Sequence, residues 1–417
     1  MLKNSIKTLI PWVKQYPVNQ IKITSANGCL IQSNKKKIVD FTSGAMVVNL
    51  GHNNKYILSK IKKHINTGIS YVPSNFGTYE RNRLSERIID IVDSNNFDKV
   101  LYTNAGADAN ESAMFLSREF FRFQNDINRT RILSFKKSFH GGSTIGASCI
   151  SGDNRTTIKK SYFNLGFESI IENPKIDDLG SESLKNFETE FKKNNVASIL
   201  IEGSSGSAGC ILYPNDYLNK LKKLCENYGV ILICDEVMSG WGRTGKMFGF
   251  QHSNIKPDII TTAKAITSGY APLGAVILSK NIAEVFNENP VQVGLTYSGH
   301  ILSTTIANSC LDLYSHNNYE ILDNVNKLSK IIEYKCSKIA TNCNFIKEFR
   351  GNGMLSCFEL LLNDNELIHF SNYLLDNDIY CMRIRSNIFI APPLVIDEDL
   401  LIATLNKIEL LCSAYDK

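Results

Sequence analysis

Apolar positions along the chain fall into two rhythms that alternate over most of its length. Unbroken apolar runs begin near residues 99, 131, 146, 197, 230, 258 and 274, among them Lys99-Val-Leu-Tyr-Thr103, Ala197-Ser-Ile-Leu-Ile201 and Gly274-Ala-Val-Ile-Leu278. Short runs of this kind, bounded by glycine or polar residues, read as strands buried on both faces. Before and between them, apolar residues recur every third or fourth position over Tyr56–His64, Glu80–Val92 and Ala109–Phe121, which predicts amphipathic helices. The beginning of the chain differs. Ile21-Lys-Ile-Thr24 alternates, Asn27-Gly28 marks a turn, and Cys29–Ile31 and Ile38–Phe41 follow, so a small strand-rich piece is expected there. Past residue 316 the rhythm changes again, to one long helix over Asn318–Thr341 and then a mixed helix and strand piece.

Composition narrows the class without choosing a function. A chain of 417 residues exceeds one compact core and predicts two or three units. Its 43% hydrophobic and 21% charged residues are ordinary for a globular enzyme. The net charge of +5 is spread out, with only short pieces such as Lys35-Lys36-Lys37 standing out, so neither nucleic acid nor an anionic membrane is expected as a partner. The N-terminal apolar run is too short for a signal peptide and Pro11 breaks it, and no stretch reaches the ~20 apolar residues of a membrane span. Eleven cysteines without a CxxC pair point to a reducing, cytoplasmic location, and no metal is expected.

The chemistry concentrates in Ile231–Lys264. The apolar run Ile231-Leu-Ile-Cys234 ends in two carboxylates, Asp235 and Glu236; a turn punctuated by Gly240, Gly242 and Gly245 follows; a second run, Asp258-Ile-Ile-Thr-Thr262, ends just before Lys264. A ligand crevice in an open α/β sheet lies at the carboxyl ends of its strands. There a lysine can form a Schiff base and a carboxylate can hold a ring nitrogen protonated, which is what pyridoxal phosphate needs. Either residue alone would be read as a helix cap or a solvated amine. Upstream, Asn104-Ala-Gly-Ala-Asp108 is a glycine-bearing turn from strand to helix, whose free N–H groups and positive helix end suit a phosphate.

Taken together, DEVMSGWGRTG, PDIITTAKAITSGYAPLGAV and NAGADANESA resemble the class-III (ω-type) pyridoxal-phosphate aminotransferases, with Asp235 and Lys264 standing 29 residues apart in the family's register. The resemblance covers nearly the whole chain and is most specific between 99 and 310. It implies a pyridoxal-phosphate fold of type I: a large α/β domain with a mostly parallel seven-stranded sheet, and a small α+β domain built from both chain ends. The corresponding divisions are 1–55 (arm and part of the small domain), 56–315 (cofactor-binding domain) and 316–417 (small domain). It makes Lys264 the Schiff-base lysine and proton carrier, and Asp235 the partner of the pyridine nitrogen. Gly106 and Ala107 belong to the phosphate turn, where Ala105, Ala107 and Asp108 replace the family's Ser, Thr and Glu. Phe139 is the ring-stacking aromatic, with His140, Glu202 and Val237 in the cofactor's surroundings. Gly294-Leu-Thr-Tyr-Ser-Gly-His300 matches a segment whose threonine reaches across a dimer, which makes the protein a homodimer with composite sites and gives Thr296 a phosphate of the other subunit. Arg383, with Arg385 competing, matches the arginine that clamps a substrate carboxylate. Met46 stands where some relatives carry Trp, and Trp12 approaches the same substrate pocket. Ser207 stands where relatives acting on ornithine or γ-aminobutyrate carry a second Glu, which argues against those substrates. Features of the taurine–pyruvate subgroup imply transfer from a taurine- or β-alanine-like amine to pyruvate or 2-oxoglutarate. The alternatives are a same-cofactor aminomutase of the glutamate-1-semialdehyde kind and a non-catalytic binding protein on this fold.

Overall fold

The computed structural model describes residues 8–12, 21–34, 36–152 and 165–416. In chain order the first strands are β1 (Ile23–Asn27), β2 (Leu30–Ser33), β3 (Lys37–Asp40), β4 (Phe97–Thr103), β5 (Arg131–Phe135) and β6 (Phe167–Ile171). Then come β7 (Val196–Glu202), β8 (Ile231–Asp235), β9 (Ile259–Thr262) and β10 (Gly274–Ser279). The last are β11 (Ile346–Asn352), β12 (Leu355–Leu360), β13 (Ile379–Tyr380), β14 (Arg383–Ile384) and β15 (Asn387–Ile390).

Seven of them form the central sheet in the order β4-β10-β9-β8-β7-β5-β6, parallel except for β10, which runs against both neighbours. Every residue of β7, β8 and β9 is buried, as expected of strands covered on both faces. One cover is the helix Gly106–Phe123, whose Ala109, Ala113, Leu116 and Phe120 pack with Ile132, Leu200, Ile233 and Val276. On the other side Phe187, Tyr217, Leu221 and Leu232 share a core with the two helices Ser181–Phe191 and Tyr217–Tyr228. Two four-stranded sheets complete the fold, β1-β2-β3-β13 and β11-β12-β15-β14. The first joins the two ends of the chain, because β13 adds parallel to β3.

The predicted helices are present: three are slightly longer, as Lys55–Ile65, Tyr79–Val92 and Gly106–Phe123, and the long one runs over Glu320–Asn342, starting two residues later and ending one later than expected. One expected strand is not. The apolar run near 146 is a helix, Ile145–Ile150, and the seventh strand is β6 at the sheet edge. A short apolar run does not choose between a buried strand and a buried helix by periodicity. Here Gly146, Ala147 and Ser148 are small enough to bury the turn, the Glu111 carboxylate accepts from Ala147 N at 3.1 Å, and Ser151 Oγ donates to Ala147 O at 2.7 Å.

A fully buried guanidinium ties these parts together. Arg243, in the glycine-punctuated turn after β8, donates from Nη1 to Met354 O and Pro392 O at 3.1 and 2.6 Å. Its Nη2 donates to Ser43 Oγ and Asn49 Oδ1 at 2.9 and 2.6 Å. Burial holds this guanidinium down at about 10, below the arginine range. Replacing it with Met leaves several buried acceptors without a donor, at about 1–3 kcal/mol each. Arg243→Met is therefore expected to lose at least about 3 kcal/mol in denaturant unfolding; an unchanged midpoint would show that the segments hold together without it.

Candidate active site

The register of the central strands aligns the chemistry. Glu202 at the end of β7 pairs with Asp235 at the end of β8, and Asp235 pairs with Thr261 on β9. Over these ends lies a cavity of about 610 Å³, whose wall includes Asp235, Lys264, Glu202, His140, Phe139 and the turn Asn104–Ala107.

Asp235 is buried and fully engaged on one side. Its Oδ2 accepts from Asn110 Nδ2 at 2.7 Å and from His140 Nδ1 at 2.8 Å, and its Oδ1 accepts from Val237 N at 2.9 Å. A carboxylate only accepts, so Nδ1 of His140 carries its proton, and Nε2 meets Ser134 Oγ at 3.0 Å. Asn110 is fixed in turn: Nδ2 also donates to His140 O at 2.7 Å, and Oδ1 accepts from Thr261 Oγ1 at 2.5 Å. Asn110 lies one turn into the helix Gly106–Phe123, on the face turned to the strand ends, and together with Ser134 and Thr261 it had no role assigned from sequence.

The other two poles of the cavity are Lys264 and the helix start. Lys264 follows β9 in the left-handed region, at φ 47°, a backbone state that in a non-glycine residue is costly and collects at functional sites. The helix Gly106–Phe123 begins at Ala105 with no side-chain cap, so its first N–H groups are not taken by a capping side chain. Gly106 is required by a close approach: a Cβ there would stand 2.8 Å from Val237 Cγ1.

Residues 13–411 match the family model of the class-III aminotransferases. The chain belongs to that family. It is an aminotransferase of the pyridoxal-phosphate fold type I, and its cofactor is pyridoxal 5′-phosphate. Its backbone superposes with a TM-score of 0.92 on the taurine:2-oxoglutarate aminotransferase of Bifidobacterium kashiwanohense in complex with pyridoxal phosphate and glutamate, at 29% identity over 99% of this chain and 96% of that one. It is 31% identical over 365 residues to the adenosylmethionine-8-amino-7-oxononanoate aminotransferase of Staphylococcus aureus, covering 80% of this chain and 76% of that protein. An acetylornithine aminotransferase of Methanocaldococcus jannaschii is 28% identical over 383 residues, 90% and 88% of the two chains.

The residues in the cavity fit this cofactor by their chemistry: an amine, an acceptor carboxylate, an aromatic face and uncapped helix N–H groups line one wall. The aminotransferase brings together Lys264, Asp235, Gly106, Ala107, Phe139, His140, Glu202, Val237 and Trp12. It does not bring Met46, Arg383 or Thr296 to the same wall. Met46 is 2% exposed and packs with Cys210, Met238, Leu355 and Phe389, in a turn where Ser43, Gly44 and Met46 all have positive φ, and neighbouring Val47 stands in the wall instead. Arg383 donates to Arg385 O at 3.2 Å within its own turn, and Arg385 reaches Gly152 O at 3.3 Å. Thr296 is exposed, and its carbonyl accepts from Tyr71 Oη at 3.0 Å. Glu202 makes no hydrogen bond to Asp235; its carboxylate accepts from Ser207 N at 3.1 Å, and burial raises its pKa, with the nearby Asp235 charge adding to the rise. The wall also includes Tyr270–Leu273, from the stretch quoted for its resemblance but given no role. Among the described residues no helix is long and apolar enough to cross a membrane.

Glu236 lies behind the site, fully buried. It accepts from Ser239 Oγ at 2.6 Å and from the N–H groups of Gly249 and Phe250 at 2.7 Å each. These donors favour the ionised form, burial opposes it, and burial prevails, raising the carboxyl from 4.5 to about 7. The folded chain therefore binds this proton more tightly than the unfolded one. The stability it contributes is full below 4.5 and is lost as pH rises through about 7. Thermal unfolding of the parent and of Glu236→Gln should show the parent's advantage shrinking across that window; parallel curves would refute the titration.

Proposed function

We propose that this aminotransferase moves the amino group of a small amine or ω-amino acid, of the taurine or β-alanine kind, onto an oxo acid such as pyruvate or 2-oxoglutarate. The observation that carries the reading is the meeting in one cavity of Lys264, the triply held Asp235 and the uncapped helix start. The choice of amine is supported by the likeness to a taurine aminotransferase along 99% of the chain and by Ser207, a neutral residue, in the wall near Glu202. The family alone does not choose it, since relatives named for quite different amines share the fold.

Pyridoxal phosphate, when bound, supplies a conjugated ring that takes up the electron pair left on the amine-bearing carbon. Lys264 Nζ would hold the cofactor, and its free amine would carry the proton from the substrate carbon. The Asp235 carboxylate keeps the ring nitrogen protonated by its negative charge, while Asn110 and His140 keep the carboxylate in place. The Gly106 and Ala107 N–H groups would receive the phosphate, and Phe139 would offer the ring an aromatic face. Arg383 or Arg385 would receive a substrate carboxylate, as the family resemblance implies.

The assembly we infer is a two-fold homodimer. Phe76 and Tyr79 are 59% and 71% exposed, Tyr297 is 57% exposed, and Ile69, Tyr71, Val291 and Leu295 are exposed beside them. Arg81 binds the two segments into one surface, donating to Val72 O, Pro73 O, Phe76 O and Gly299 O. An apolar surface of this kind calls for a partner, and a second copy placed there would present Thr296 to the phosphate end of its neighbour. All eleven cysteines are buried, which fits a reducing cytoplasm.

Lys264→Ala should abolish turnover of β-alanine or taurine with pyruvate or 2-oxoglutarate while the variant stays folded; borohydride trapping of cofactor on another lysine would overturn the assignment. Asp235→Asn should still take up cofactor but lose on the order of 10²-fold in rate, and a rate within about threefold of the parent would count against its role. Dependence on an added oxo acid separates transamination from a mutase.

The composite site has its own check. Mixing Lys264→Ala subunits with subunits carrying Thr296→Trp, each inactive alone, should restore activity, because one site of the mixed dimer regains both residues. Heterodimers that form but remain inactive would refute it.

A further inference from the structure

Gly142 follows the Phe139-His140-Gly141 turn and lines the cavity. Its φ lies outside the left-handed region, so its backbone accepts any L-residue; the obstacle to a side chain is steric. A Cβ at 142 would stand 2.5 Å from Trp12 Cη2 and 2.9 Å from Cζ2, while the next atom, Phe139 Cζ, is a comfortable 3.7 Å away. The indole fills the place of the missing methyl. It stands edge-on to Phe139, with ring centroids 6.3 Å apart and planes at 82°, and it forms part of the cavity wall although it is 57% exposed. Phe139 in turn belongs to the wall that holds Asp235 and Lys264.

The geometry points to Gly142 as a specificity-determining residue: by lacking a side chain it lets the Trp12 indole lie against Phe139 and close the substrate end of the cavity to bulky amines. The indole is the wall, and Gly142 is the gap that seats it. Trp12 is held by contacts with an aromatic edge and a bare backbone, and a single methyl at 142 cannot share the space with a rigid bicyclic ring. The chain therefore discriminates by size at this end, favouring aliphatic amines over aryl-substituted ones. This rests on reading the cavity as the substrate site, so one measurement below is independent of turnover.

Two readouts test it. The first is kcat/KM for β-alanine and for 1-phenylethylamine with pyruvate, in the parent, Trp12→Ala, Gly142→Ala and the double variant. Trp12→Ala is expected to raise the ratio of bulky to small amine by about 10-fold or more, the scale of one pocket contact. Gly142→Ala should raise it comparably in the parent background, but by less than about twofold in the Trp12→Ala background, because its effect passes through the indole. An equal effect of Gly142→Ala in both backgrounds overturns the proposal. The second readout is acrylamide quenching of tryptophan emission in the cofactor-free protein. The only other tryptophan, Trp241, is 0% exposed, so the quenchable emission belongs to Trp12. Trp12→Phe should remove that component, and Gly142→Ala should make it more quenchable by unseating the ring; unchanged quenching in Gly142→Ala overturns the contact. If the parent takes up cofactor but turns over neither amine, the substrate reading fails, and the quenching result still decides the Gly142–Trp12 contact.

Discussion

A negative charge held almost out of water at the end of β8 is the constraint around which this structure is arranged. The carboxylate of Asp235 keeps its place only because three donors converge on it, from the following backbone, from a helix and from the loop after β5. The two side-chain donors are themselves tied down: Asn110 by Thr261 and His140 O, His140 by Ser134 and by Ser151 Oγ, which accepts from its backbone N at 2.8 Å. The network therefore couples β5, β8, β9 and the covering helix at a single point. Buried polar networks of this kind are costly when half satisfied and rigid when complete. Rigidity is what a carboxylate needs if it is to control the charge of a ring nitrogen.

Arg243 plays the complementary part at longer range. Its donors reach residues from both chain ends and from the β11–β12 hairpin, so the turn after β8 cannot shift without disturbing the smaller sheets. The same turn carries Trp241, whose Nε1 donates to Thr262 Oγ1 at 2.8 Å and whose carbonyl accepts from Asn49 Nδ2 at 3.0 Å. Thr262 is two residues before Lys264. The anchor of the lysine turn and the anchor of the outer segments are thus neighbours in one loop, which links the stability of the whole to the geometry of the site.

What could be read from the residues alone follows from how local each signal is. Apolar runs ending in Asp235 and just before Lys264 announce strand ends directly, and the glycine turn at 104–108 announces a helix start. The central sheet and its chemistry were therefore legible. The run near 146 misled because six small and apolar residues satisfy a helix and a strand equally, and the choice was made by Glu111 and by packing on the neighbouring helix. Asn110 and Arg243 carried no readable role because their partners lie 125 and up to 200 residues away in the chain. Their only trace is a polar residue at a position whose neighbours are buried. Met46 and Val47 differ by one position, and the turn that places one in the small core and the other in the cavity wall contains three positive φ values, at Ser43, Gly44 and Met46, that no pattern of residues announces.

The wall of the cavity divides by origin. The end that holds Asp235, Lys264 and the helix start is built from the central sheet, whose strands are buried on both faces and have little freedom to change. Other parts of the wall come from turns: Val47 after the first small sheet, Gly142 after His140, and Trp12 near the start of the chain. Val47, Gly142 and Trp12 are not among the donors to Asp235. On the proposal that Trp12 and Gly142 set the size of the amine, chemistry and selectivity are carried by parts of the chain with different mechanical support. That separation is a physical reason why one fold and one cofactor serve relatives named for such different amines.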